Sequence, residues 1–258
     1  MKKTALITGS TSGIGLEIAK HLAKNGCDIC INGLGEKEKI NEIANEITAN
    51  YKVNVIYSDA NLLYSEDIKK MIDFTLSKLG KIDYLINNAG IQHVSKIEDF
   101  SEEKYEQIIK INLSAAFYSI KYAASSMKSA NFGRIVNIAS AHGLVASPFK
   151  SAYVASKHGV LGLTKSVALE MAENNIAVNS VCPGYAKTEI VINQIKDIAR
   201  ARGIDEDEVI SDIILVKHPN KRFVSVQEIS DLVVFLCEQK TNSITGSHFS
   251  IDGGWTAQ

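Results

Sequence analysis

A glycine turn near the start of the chain, Gly9-Ser-Thr-Ser-Gly13-Ile-Gly15, restricts the possible folds more than any other stretch. Thr4 to Thr8 before it reads as a short buried strand, and Ile18, Ala19, Leu22 and Ala23 after it recur at helical spacing. Strand, glycine turn and helix in that order present backbone N–H groups and a helix N-terminus to a pyrophosphate. The spacing is G-x3-G-x-G, not the commoner G-x-G-x2-G. Further strands are predicted at 27–32, 53–58, 82–87, 133–140, 176–182 and 247–251, with helical stretches between them. This alternation predicts one α/β domain over 1–258: a Rossmann-like, doubly wound parallel sheet with helices on both faces. The charged insertion at about 188–223 has no glycine or proline other than Gly203 before Pro219, and reads as a helical lid that closes over a substrate.

With 258 residues, 45% of them hydrophobic, the chain can bury a large core. A net charge of −1 and a pI near 6.6 give no signal for a polyanion, so no nucleic-acid partner is expected. The first apolar run stops at Gly9, too short for a signal-peptide core, and no stretch reaches the length of a membrane span. Scattered cysteines (Cys27, Cys30, Cys182, Cys237) suit a reducing compartment, and a cytoplasmic protein is expected. Cys27-x2-Cys30 has a metal-like spacing, but in a strand positions i and i+3 face opposite sides, so no metal is expected there.

Ligands of open α/β sheets bind beyond the carboxyl ends of the strands. The second predicted strand ends in Asn32-Gly-Leu34-Gly35, where an acid would favour NAD and an arginine NADP. Neither is present, and Leu34 offers no charge to a 2′-phosphate; NAD is expected. Asp59 or Asn61 could accept from the adenine amino group. Small residues in Asn87-Asn88-Ala89-Gly90 let a ring or ribose approach the backbone.

Tyr153 and Lys157 lie four residues apart in a predicted helix, on one face. A phenol with a pKa of roughly 10 costs about 4 kcal/mol to ionise at neutral pH. An adjacent ammonium favours the charged form, and the pair could then move a proton to or from a substrate hydroxyl. Ser140, at the end of the fifth predicted strand, reaches the same edge; His142 follows it by two residues. Asn112 falls inside a long helical stretch at 101–127, where an Asn is usually exposed or locally bonded. Ala155, Gly159, Gly162 and Ser166 form a small-residue stripe about opposite Tyr153 and Lys157, suited to a subunit contact.

Thr8-Gly-x3-Gly-Ile-Gly15, Asn87-Asn-Ala-Gly90, Asn112, Ser140, Tyr153-x3-Lys157 and Pro183-Gly184 occur in the order of the short-chain dehydrogenase/reductase family, which the chain resembles over its whole length. Gly90-Ile-Gln-His93, Ser140-Ala-His-Gly-Leu-Val145, Lys150-Ser-Ala-Tyr153 and Asp252-Gly-Gly-Trp-Thr-Ala-Gln258 resemble the D-3-hydroxybutyrate dehydrogenase branch of that family. The resemblance implies NAD-linked interconversion of (R)-3-hydroxybutyrate and acetoacetate by a homotetramer. It assigns Tyr153 as acid/base and Ser140 to the substrate oxygen. Lys157 is assigned to the Tyr153 phenol and the nicotinamide ribose, and Asn112 to a water linking Lys157 to solvent. It places the cofactor on Gly9, Thr11, Gly13, Ile14, Gly15, Leu34, Asn61, Leu62, Asn88, Ala89, Gly90, Tyr153, Lys157, Pro183, Gly184 and Thr188. The substrate falls to Gln92, Ser140, His142, Lys150, Tyr153, Tyr185, Gln194 and Trp255. Gln92, His142, Lys150 and Gln194 then surround the carboxylate, with Gln194 arriving on lid closure. Two residues depart from the pattern: Tyr185 stands where Trp is usual, and Asn61 where Asp is common.

Overall fold

A computed structural model describes residues 2–258; the side chains of Ile190, Asp197 and Ala201 fall outside the description. The strands are β1 (Thr4–Ile7), β2 (Asp28–Asn32), β3 (Val55–Ser58), β4 (Tyr84–Asn87), β5 (Gly133–Ile138), β6 (Ile176–Pro183) and β7 (His248–Ile251). They form one seven-stranded sheet in the order β3-β2-β1-β4-β5-β6-β7, and every pairing is parallel. Parallel neighbours need crossovers, which the helices α1 (Gly13–Lys24), α2 (Lys37–Tyr51), α3 (Ser65–Leu79), α4 (Glu102–Ile109), α5 (Ala115–Ser129), α6 (Ser151–Met171) and α9 (Val226–Cys237) supply.

The strands alternate their apolar side chains between two cores, one on each face. Ala5, Ile7, Ile29 and Ile31 join Ile18, Leu22, Ile229 and Val233 on the face carrying α1 and α9. Leu6, Cys30 and Leu85 join Ile68, Ile72, Ala123 and Val167 on the face carrying α3, α5 and α6. Cys27 belongs to the first core and Cys30 to the second, as the period-two argument requires. Burial raises both thiols to about 12, so neither is a thiolate at neutral pH.

The stretch expected as one helix at 101–127 is interrupted. Between α4 and α5, Lys110–Ser114 forms a π-helical turn carrying Asn112. Such turns tend to mark functional positions. After β6 come α7 (Glu189–Arg202), α8 (Glu206–Val209), a second π turn (Ile210–Ile214) and a 3-10 turn (Leu215–Lys217). This insertion has a small core of its own, with Ile195, Val209 and Ile214 at its centre. Its two roots are strapped together: Ala186 bridges Val224, and Val224 N–H donates to Tyr185 C=O at 2.9 Å.

Candidate active site

The strand order reverses direction between β1 and β4, and a cleft of about 510 Å³ opens beyond the carboxyl ends there. Gly9 has φ +62°, and a Cβ on it would lie 2.8 Å from Ala89 Cα. Only glycine brings the two loops this close without strain. Asn88 locks them: its side chain donates to Thr8 C=O at 3.0 Å and Gly9 C=O at 2.9 Å, while its N–H donates to Thr8 Oγ1 at 3.0 Å. Asn32 finishes the frame. Its amide donates to Ser58 and Ala60 carbonyls, both at 3.1 Å, and its oxygen accepts from Gly9 N–H at 3.4 Å. The cleft thus begins with a backbone cradle at the N-terminus of α1, the arrangement that fits a dinucleotide pyrophosphate.

Of the residues expected around the cofactor, all but Gly15 line this cleft. Gly15 sits beneath the loop, where a Cβ would run into Gly9 C=O and the Asn88 amide; it is a packing glycine. Leu34 is exposed on the wall. Asn61 and Leu62 line the cleft, whereas Asp59 lines a separate shallow depression. The Asn61 amide oxygen already accepts from Leu63 N–H at 3.1 Å, an Asx turn. Thr188 faces the glycine loop, its methyl 3.7 Å from where a Gly13 Cβ would stand.

At the inner end, Ser140, Tyr153 and Lys157 meet as expected. Burial pushes the Tyr153 phenol above its ordinary value, and a hydrogen bond with Ser140 pulls it down. Burial holds the Lys157 ammonium down to about 8. Its amine donates to Ile138 C=O at 2.8 Å and lies 5.6 Å from the Tyr153 ring centroid. The ammonium thus stands beside the phenol, within the distance at which a cation favours the charged form. Both groups leave water together, and Ser140 also pulls Tyr153 down.

Asn112 does not line the cleft, and it is neither exposed nor locally bonded. Its oxygen accepts from Ile91 N–H at 2.8 Å, and its amide donates to Ile91 C=O at 3.0 Å and Ser156 Oγ at 3.1 Å. A Cβ on Gly90 would lie 3.5 Å from Asn112 Oδ1 and 3.6 Å from Lys157 Nζ, so Asn112 and Lys157 flank the same glycine.

The outer end is a stack of rings. Tyr185 and Trp255 lie parallel, 5.3 Å apart with an interplanar angle of 7°, and His142 meets Trp255 edge-on at 4.9 Å. His142 is buried and its ring bonds Ser147 Oγ at 3.0 Å. Burial, with Lys150 nearby, pushes its pKa to about 3, so it works as a neutral ring and not as the doubly protonated donor. Lys150 is buried and does not line the cleft; its amine reaches Tyr185 Oη at 3.3 Å, and burial lowers it to about 8. Tyr185 also bonds Gln194, and Gln194 accepts from Gln92 Nε2 at 3.1 Å. A polar chain Lys150–Tyr185–Gln194–Gln92 therefore spans the outer end, and Gln194 stands inside the site in this arrangement of the insertion.

The short chain dehydrogenase family model matches residues 3–199. The chain is a short-chain dehydrogenase. It is 50% identical over 258 residues to the D-beta-hydroxybutyrate dehydrogenase of Rhizobium meliloti (strain 1021), covering 100% of each chain. It is 44% identical over 257 residues to the D-beta-hydroxybutyrate dehydrogenase of Cupriavidus necator, covering 99% of this chain and 98% of that one. A solved L-sorbose reductase from Gluconobacter frateurii, complexed with NADPH and L-sorbose, superposes with a TM-score of 0.93 at 28% identity, covering 100% of this chain and 97% of that one. This short-chain dehydrogenase is an oxidoreductase with a Rossmann-like fold. Among the described residues, no group of three or more His, Cys, Asp or Glu side chains is placed to hold a metal ion. No helix among them is long and apolar enough to cross a membrane.

Sequence reasoning passed over three residues that shape this dehydrogenase site. Asn32 had only the signal of a polar residue ending an apolar strand. Ser147 had none. His218, buried behind Tyr185, had only the oddity of a histidine before Pro219 at the end of the insertion.

Proposed function

We propose that this dehydrogenase interconverts (R)-3-hydroxybutyrate and acetoacetate with NAD. The observation that carries the reading is the outer end of the cleft. The paired amides of Gln92 and Gln194 meet Tyr185 there beside an aromatic wall, and the buried Lys150 ammonium stands directly behind, on the Tyr185 hydroxyl. A small hydroxy acid offers one carboxylate and one methyl, and such a cluster answers both. The names of the two hydroxybutyrate dehydrogenase relatives support the same substrate.

A nicotinamide cofactor held by the glycine loop, Asn88 to Gly90 and Lys157 would supply the hydride acceptor for C3. Tyr153 takes the C3 hydroxyl proton, and Ser140 holds that oxygen. Lys157, fixed by Ile138 C=O, holds the ribose and faces the phenol. Asn112 fixes Ile91 and the adjoining loop. Leu34 supports NAD: an exposed, uncharged side chain gives a 2′-phosphate nothing to bind. Residues 1–258 work as one catalytic domain. The insertion at about 188–223 closes as a body about the strap at Ala186 and Val224, excluding water. The protein is a cytoplasmic homotetramer, to which the exposed Phe117 on α5 and Leu169 on α6 contribute contact area. Ala155, Gly162 and Ser166 are open to such a contact, but Gly159 is not, since a Cβ there would meet Leu113 of its own chain at 2.8 Å.

The test is the appearance of reduced cofactor absorbance with (R)-3-hydroxybutyrate. Activity is expected with NAD and the R enantiomer. Equal turnover of the S enantiomer, or faster turnover with NADP, rejects the reading.

A further inference from the structure

His218 lies at the end of the insertion, 0% exposed, and meets three parts of the outer site. Its Nδ1 stands 2.8 Å from Arg222 C=O, which can only accept, so Nδ1 carries the proton. Its Nε2 is then a free acceptor, and Tyr185 N–H donates to it at 3.0 Å. The two contacts fix one neutral tautomer and one ring orientation. The ring also lies 5.8 Å from the Tyr185 ring and 5.9 Å from Trp255, completing the aromatic stack from behind.

Gly184 is shaped to this ring. A Cβ there would come within 2.6 Å of His218 Nε2 and 2.8 Å of Cε1, so the glycine before Tyr185 makes room for the imidazole. The residues after His218 are anchored to the C-terminal turn: Asn220 N–H donates to Gly253 C=O at 3.3 Å, and Pro219 packs on Gly254. That turn, capped by Asp252, presents Trp255 to the cleft. The foot of the insertion, the Tyr185 backbone and the Trp255 wall are thus joined at one side chain.

We propose that His218 is a positioning residue for substrate specificity, which holds Tyr185 so that its hydroxyl meets Lys150 and Gln194 and its ring faces Trp255. His218 touches neither substrate nor cofactor; it acts through Tyr185. The proposal rests on the substrate reading above only for its kinetic test. Losing the imidazole leaves a part-buried Tyr185 N–H without its partner and lets the ring drift.

His218→Leu removes the acceptor, and His218→Gln returns an acceptor of similar reach. His218→Leu is expected to raise KM for (R)-3-hydroxybutyrate by about tenfold, with kcat and NADH affinity changed less than about threefold. His218→Gln is expected to recover most of that loss. Equal falls in kcat and cofactor affinity, an unchanged KM, or a Gln variant as poor as the Leu variant each overturn the proposal. Trp255 is the single tryptophan of the chain, and its emission reports the stack directly. With no ligand added, acrylamide should quench Trp255 more strongly in His218→Leu than in wild type or His218→Gln. Identical quenching overturns the proposal even if 3-hydroxybutyrate proves not to be the substrate.

Discussion

The two ends of the cleft are made of different materials. At the dinucleotide end the contacts come from backbone and neutral amides: Gly9 against Ala89, the Asn88 clamp, and Asn32 bridging three loops. The Asn88 amide and the Asn32 side chain both spend their hydrogen bonds within the protein. At the substrate end the wall is side chain, drawn from Gln92, His142, the stretch 185–194 and Trp255, with Lys150 behind Tyr185. The Lys150 ammonium behind that wall is held below its ordinary range by burial, as is Lys157 at the inner end. The first end is finished before any ligand arrives. The second keeps charge out of water at a cost to stability.

The largest effect tests the junction of the two ends. Tyr153→Phe should lower kcat by about 10²- to 10⁴-fold while leaving NADH affinity nearly unchanged. Fluorescence titration with steady-state kinetics reads both, and undiminished turnover would remove Tyr153 from the chemistry.

Lys150→Met probes the substrate end, where affinity and stability should move in opposite directions. KM for (R)-3-hydroxybutyrate should rise about 10- to 100-fold, the loss of a charge-assisted bond. Thermal stability at pH 7 should increase by a few degrees, since the buried charge is gone. The pH dependence fixes the cause. Lys150 sits at about 8 in the folded chain against an ordinary 10.5, so the unfolded chain binds the extra proton between those values. Wild-type stability therefore rises with pH through that window. The advantage of Lys150→Met should be full below pH 8 and absent above about 10.5. A variant less stable than wild type at pH 7 would break the contrast between the two ends.

At the dinucleotide end the two quantities should fall together. Gly9→Ala forces a side chain into φ +62° and against Ala89 Cα. A loss of about 1–3 kcal/mol in folding stability is expected. Weaker NADH binding should accompany it, with KM for the acid little changed at saturating cofactor. Intact cofactor affinity in a destabilised variant would show that the cradle tolerates displacement.

The same contrast decides what the sequence reveals. Strands and helices at the dinucleotide end follow from local pattern, and α3 falls at Ser65–Leu79 as its periodicity predicts. Cys27 and Cys30 separate to opposite faces for the same reason. Asn112 illustrates the limit: its role depends on a π turn, and an extra residue in one helical turn leaves no mark on apolar spacing. Lys150 reads as a loop lysine because nothing local shows that Tyr185, 35 residues later, supplies its hydrogen-bond partner. His218 is harder still, since its partners are a backbone N–H and a ring brought by tertiary packing. Sequence motifs expose groups that act through local geometry; they hide groups that act by holding something distant.

The clamp between Thr8 and Asn88 joins residues 80 positions apart. During synthesis the first βαβ unit therefore emerges with its nucleotide loop unframed, and it stays so until β4 has left the ribosome and paired with β1. The nascent chain must reach that point on the strength of its two growing cores, with no help from the dinucleotide it will later hold.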